Sequence, residues 1–173
     1  VVSASRIDGV FESWITPDSP GCACSVTRDG QVIYARAFGL ADLDSRMPLT
    51  TYSIFDIASM AKQFTAASIV LLADEGMIDV EADIRDYIPE FPDYGAPITV
   101  ENLIHHQSGI RDYGALAYFA GRLEDSSLDN SGAVELMALQ KSLDFSPAEQ
   151  FVYSNSHRSL GHECLPVGRR YTG

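Results

Sequence analysis

Apolar residues recur at Ile7, Val10, Phe11 and Trp14, the i, i+3, i+4, i+7 spacing of one helix face, which predicts an amphipathic helix over about residues 4–15. Thr16-Pro17-Asp18-Ser19-Pro20-Gly21 ends it. Cys22–Thr27 and Gln31–Phe38 are β-prone runs separated by Arg28-Asp29-Gly30, and Asp-Gly tolerates the positive φ angles of a tight hairpin turn. Residues 39–51 read as an irregular crossing segment. From Ser59 to Glu75 the chain is apolar on most faces of a helix, a pattern expected at the centre of a protein, and Gly76 suits its C-terminal cap. Ile84, Tyr87 and Ile88 predict a short helix ending at Pro89. Thr99-Val100-Glu101-Asn102 predicts a capped helix to about His106, stopped near Ser108-Gly109. Residues 111–131 read as loop or lid, Ala133–Leu139 as helix, and 147–155 as an ordered loop.

Composition narrows the function classes. With 173 residues, 46% of them hydrophobic, the chain has enough material for one domain core. The longest apolar stretch, Ala66–Ala73, runs into Asp74-Glu75 and predicts no membrane span. A net charge of −12 argues against a nucleic-acid-tracking surface. The N-terminal Val1-Val2-Ser3-Ala4-Ser5 shows no secretory signal pattern. Cys22, Cys24 and Cys164, with His157 and His162 nearby in sequence, match no zinc-ligand spacing, so no metal is expected. Cys22 and Cys24 read as small, mostly buried strand residues.

Candidate chemistry centres on Ser59-Met60-Ala61-Lys62. Residues three apart share a helix face, which sets the Lys62 amine beside the Ser59 hydroxyl. A serine becomes nucleophilic when a neighbouring base takes its proton, and a partly desolvated lysine is such a base. Lys62 is one of only two lysines in the chain. Taken alone, the same serine reads more readily as a helix cap than as a nucleophile.

Three segments in order carry a resemblance: Phe55 to Ala66 around Ser59 and Lys62, Leu103-Ile104-His105-His106-Gln107-Ser108-Gly109-Ile110, and Tyr153-Ser154-Asn155. Together they resemble the serine β-lactamase and penicillin-binding-protein superfamily, in the branch of class C β-lactamases, D,D-peptidases and esterases. The resemblance implies an α+β fold in which an antiparallel sheet packs against a mostly helical subdomain. This chain would supply residues 1–57 as the N-terminal helix and hairpin, and 58–173 as the nucleophile helix and helical subdomain, together one incomplete catalytic domain. Ser59 is implied as nucleophile and Lys62 as base or proton relay. Tyr153 would share the proton, and Asn155 would bind both Lys62 and substrate. His106, Ser108 and Gly109 are implied as structural residues near the site, in preference to a triad of Ser108, His106 and Asp112.

Departures from the pattern set further expectations. Pro147-Ala148-Glu149 replaces the family's Pro-Gly-Glu. The sequence after Asn155 diverges, and Pro166 is expected to interrupt a helix there. The family's third motif, Lys-Thr-Gly or His-x-Gly on a sheet-edge strand, is absent, and terminal Tyr171-Thr172-Gly173 does not replace it. The reading is therefore a truncated member lacking the later strands. Its function would be acyl-enzyme formation on a β-lactam, D-Ala-D-Ala-type peptide or ester, with no cofactor. The alternative is a catalytically incompetent member or binding module, self-associating or joined by a complementing chain through an exposed sheet edge. The resemblance favours a periplasmic or secreted location.

Overall fold

A computed structural model describes residues 3–12, 15–122 and 129–170, with side chains as far as 165. The chain divides into two compact units, residues 1–56 and 57–173.

In the first unit, helix α1 (Ala4–Glu12) precedes antiparallel strands β1 (Cys22–Arg28) and β2 (Gln31–Phe38). Asp29 at φ 50° and Gly30 at φ 75° form the two-residue turn between them, the left-handed pair that matches strand twist. The helix face read from the sequence meets this hairpin. Phe11 stacks on Phe38 with ring centroids 4.7 Å apart, Tyr34 Oη donates to Asp8 Oδ1 at 2.6 Å, and Arg36 pairs with Asp8 at 2.5 Å. Trp14 lies outside the described residues. Cys22 and Cys24 are free thiols on β1, half-buried rather than mostly buried.

Residues 39–51 are more regular than expected. Strands β3 (Leu40–Asp42) and β4 (Met47–Pro48) form a second small antiparallel hairpin. Its turn is held by Asp42 Oδ1, which accepts from the Ser45 N–H and hydroxyl, both at 2.7 Å. Side-chain acceptors of this kind leave no hydrophobic periodicity for a pattern reading to detect.

The second unit is helical. A 3-10 turn (Ala58–Met60) leads into α2 (Ala61–Asp74), which ends at Gly76 with φ 72°. There the Gly76 N–H bonds the Ala73 carbonyl and the Met77 N–H bonds that of Leu72, the paired bonds of a Schellman motif. The predicted short helix after it is a single 3-10 turn, Ile84–Asp86, capped by Asp83. Helix α3 (Val100–Ile104) starts with a reciprocal capping box between Thr99 and Asn102. Helices α4 (Tyr113–Phe119), α5 (Asn130–Ala138) and α6 (Ser156–Arg170) follow.

Helix α4 corrects the expected loop over 111–131. Its seven residues are too few for a periodic signal, and the Asp112 cap is what starts it; residues 123–128 lie outside the description. Helix α6 corrects the expected stop at Pro166. One proline forfeits one hydrogen bond, to the His162 carbonyl, and the helix is already anchored upstream by fully buried Leu160 and Cys164.

The core of this unit joins Ile69, Ile84, Ile88, Val100, Met137 and Leu160, with α6 packed on α2, α3 and α5. Helix α2 is not central in the expected sense. Ile69 is its one buried residue, while Phe64, Val70 and Leu71 are 62%, 54% and 65% exposed. An all-round apolar helix announces burial without saying which faces are covered.

Candidate active site

Ser59 sits in the middle of the 3-10 turn, after Ala58, which adopts φ 44°. Its side chain caps no helix, because neither the turn nor α2 has a side-chain cap bond, and that removes the cap reading. Instead, its Oγ accepts from Lys62 Nζ at 3.1 Å and from Tyr153 Oη at 2.7 Å. Lys62, half-buried in the first turn of α2, also donates to Asn155 Oδ1 at 2.9 Å and lies 4.8 Å from the Tyr153 ring centroid. The structure thus brings Ser59, Lys62, Tyr153 and Asn155 into one hydrogen-bonded group, across more than ninety residues of sequence.

The Lys62 ammonium first, and the Ser59 hydroxyl second, hold the Tyr153 phenol below its ordinary pKa. Both favour the phenolate by hydrogen bonding, and the charge of Lys62 adds a smaller contribution in the same direction. A phenolate formed here would stand within hydrogen-bond distance of the serine hydroxyl, the geometry a general base requires.

Residues 106–110 carry the Tyr153–Asn155 segment. The Val152, Ala148 and Asp144 N–H groups donate to the carbonyls of His106, Gln107 and Gly109, at 2.9 Å each. Gly109 has φ 74°, and a Cβ there would stand 2.0 Å from the Phe145 carbonyl oxygen, so the close approach of the two segments requires glycine. Ala148, in the position where the family pattern has glycine, is held at φ 65°. His106 Nδ1 accepts from the Ser154 N–H at 3.2 Å, and its ring lies 4.8 Å from that of Tyr153.

Ser108 does not face His106 in a triad. Its buried hydroxyl meets His157 Nε2 at 2.6 Å, while His157 Nδ1 meets His106 Nδ1 at 2.6 Å. Burial, and secondarily the neighbouring His106, pull His157 down to about 3; burial, then Lys62, lower His106 as well. Both shifts favour the neutral imidazole. Since His106 Nδ1 accepts from Ser154, the consistent proton pattern runs Ser108 hydroxyl to His157 Nε2 and His157 Nδ1–H to His106. Asp112 is also elsewhere occupied. One oxygen caps α4 through the Ala115 N–H at 3.1 Å, and the other accepts the Asn155 N–H at 2.5 Å, fixing the backbone that presents Asn155.

Asp112 as an anchor for Asn155, and His157 as the partner of Ser108, were not foreseen. The first had a signal, an Asp at a helix start; the second had none, because 49 residues separate the pair. A cavity of about 450 Å³ opens beside Ser59, lined also by Lys62, Asn155, Asp129, Arg158 and His162. Among the described residues, no group of three or more His, Cys, Asp or Glu is arranged to hold a metal ion, and no helix is long and apolar enough to cross a membrane.

Comparison with known proteins gives this geometry a context. A D-aminopeptidase of Cereibacter sphaeroides is 34% identical over 147 residues, covering 84% of this chain and 28% of its own length. A penicillin-binding protein of Bacillus subtilis is 32% identical over 129 residues, covering 73% of the chain and 28% of its own. The chain thus spans little more than a quarter of these relatives. Among solved structures, the octameric penicillin-binding protein homologue of Pyrococcus abyssi aligns over 96% of this chain and 38% of its own, with a TM-score of 0.75 and 25% identity. EstCE1, a hydrolase with promiscuous acyltransferase activity, aligns over 98% and 50% with a TM-score of 0.78; at 22% identity this shows the fold alone. The architecture is accordingly part of the β-lactamase/transpeptidase fold. The Beta-lactamase family model matches residues 10–161, nearly the whole chain and all four grouped side chains, and the protein belongs to that family.

Proposed function

We propose that the chain carries the nucleophile centre of a serine hydrolase that forms an acyl-enzyme on Ser59. The observation that supports this is the shared position of Ser59 Oγ, within hydrogen-bond distance of both Lys62 Nζ and Tyr153 Oη. Tyr153 as phenolate, stabilised by Lys62, takes the Ser59 proton as Oγ attacks a substrate carbonyl carbon. The π electrons move to the carbonyl oxygen, giving a tetrahedral oxyanion near the N–H groups of the first turn. Collapse expels the amine or alkoxide, which receives the proton held by Tyr153 and leaves the acyl group on Ser59. Tyr153 then takes a proton from water as the water oxygen attacks the acyl carbon. Collapse breaks the acyl–Oγ bond, returns that proton to Ser59 Oγ and releases the acid. Asn155, fixed by Asp112 and Lys62, holds a substrate amide. No metal or organic cofactor enters this scheme.

The relatives named D-aminopeptidase and penicillin-binding protein support an amide or β-lactam carbonyl as the electrophile, with a simple ester as the third substrate class. Intact mass spectrometry after incubation with a penicillin, and separately with an activated neutral ester, tests the proposal. A single acyl adduct absent from Ser59→Ala is expected. Folded protein that gains no adduct from either reagent refutes it.

A second reading, activity only in association with a second copy or a complementing chain, is favoured by one observation. Strands β1 and β2 form a two-stranded sheet with an unpaired outer edge on each strand among the described residues. Light scattering across protein concentration, alongside the acylation assay, separates the two readings.

A further inference from the structure

We propose that Arg158 is a specificity residue that selects acyl substrates carrying a carboxylate on the acyl side; this rests on the reading of Ser59 and Asn155 given above. Arg158 lies one helical turn beyond Asn155, its N–H donating to the Asn155 carbonyl at 3.2 Å, and lines the same 450 Å³ cavity as Ser59. Its side chain is exposed and, among the described residues, makes no ion pair or side-chain hydrogen bond.

The other acidic and basic side chains around the cavity already have partners. Lys62 donates to Ser59 and Asn155, Asp129 Oδ1 accepts the Gly132 N–H at the start of α5, and His162 lies 3.9 Å from Glu163. The lining therefore holds two cations against one carboxylate, in a chain whose net charge is −12. A guanidinium free of protein partners offers a planar pair of donors to a carboxylate. Arg158 and Asn155 line the same cavity, so a substrate whose acyl-side amide is held by Asn155 would bring an acyl-side carboxylate within reach of Arg158.

Calorimetry on the full Ser59→Ala chain tests this without turnover. The ligands are a D-alanine anilide capped with succinyl, its acetyl counterpart, and the acetyl compound with a carboxylate on the anilide ring. The succinyl compound is expected to bind about five- to tenfold more tightly than the acetyl one, the scale of a solvent-exposed charge-assisted pair, with the ratio shrinking in high salt. The ratio falls towards one in Arg158→Gln, recovers in part in Arg158→Lys and grows in Asp129→Asn. Undetectable binding of the succinyl compound, equal binding of both caps, preference for the ring carboxylate, or a ratio untouched by Arg158→Gln each overturns the proposal. Acylation of Ser59 by a neutral ester reports separately on the nucleophile, so the two readings fail independently.

Discussion

Acidification from pH 6.5 to 4.5 is expected to destabilise the second unit through His157. This imidazole is buried between Ser108 and His106, and burial pulls it down to about 3. An unfolded histidine titrates near 6.5, so between about pH 3 and 6.5 the unfolded chain binds a proton that the folded chain refuses. Stability therefore falls as pH falls, by at most about 1.4 kcal/mol per pH unit for one group, or roughly 2–3 kcal/mol over this window. His106, lowered by the same burial and by Lys62, acts in the same direction. Total stabilities of single domains are about 5–15 kcal/mol, so the loss is measurable. In the same unit Asp83 and Asp93, both held below the ordinary carboxylate range, contribute only as pH drops further. Glu81, raised by neighbouring Glu101, acts in the opposite sense near its own range. Urea unfolding followed by circular dichroism from pH 4.5 to 7.5 measures the slope, with His157→Gln as the non-titrating comparison. The variant is expected to be less stable at pH 7.5 by about 1–3 kcal/mol, because the histidine network is disturbed, and to show a flatter profile below 6.5. Parallel profiles for the two proteins would refute the reasoning, since the acid sensitivity would then lie elsewhere.

Tyr153→Phe keeps the ring against His106 and removes the hydroxyl at Ser59, so the rate of Ser59 acylation should drop about 10²–10⁴-fold with little change in melting temperature. Lys62→Met should cost a similar factor, and the double variant no more than a few-fold beyond the worse single one, as expected of groups acting as a unit. Asp112→Asn weakens both the α4 cap and the hold on the Asn155 N–H, which predicts a loss of about 1–2 kcal/mol in urea and slower acylation. Ala148→Gly, at φ 65°, should stabilise by roughly 0.5–1 kcal/mol, whereas Gly109→Ala should destabilise by at least about 2 kcal/mol because its Cβ meets the Phe145 carbonyl. Thermal melts of the two variants check the opposite signs.

Local interactions made much of this protein legible in its sequence. The hairpin of β1 and β2 follows from Asp29-Gly30, α3 from the Thr99–Asn102 box, and the end of α2 from Gly76, because each is set by atoms within a few residues of one another. Ser59 and Lys62 are likewise neighbours on the chain, and the three-segment resemblance marked Tyr153 and Asn155 as candidates. The tertiary structure decided what distance along the chain conceals. Only folding brings Tyr153 Oη to Ser59, turns Ser108 away from His106 and towards His157, commits Asp112 to Asn155, and leaves the Arg158 side chain, among the described residues, without a partner in the cavity beside Ser59. It also chose which faces of α2 are covered and carried α6 past Pro166. Turns and caps are closed by short-range hydrogen bonds whose donors and acceptors can be read in order. Burial, and the pKa shifts that follow from it, depends on which distant surfaces exclude water together, and no window of sequence contains that information.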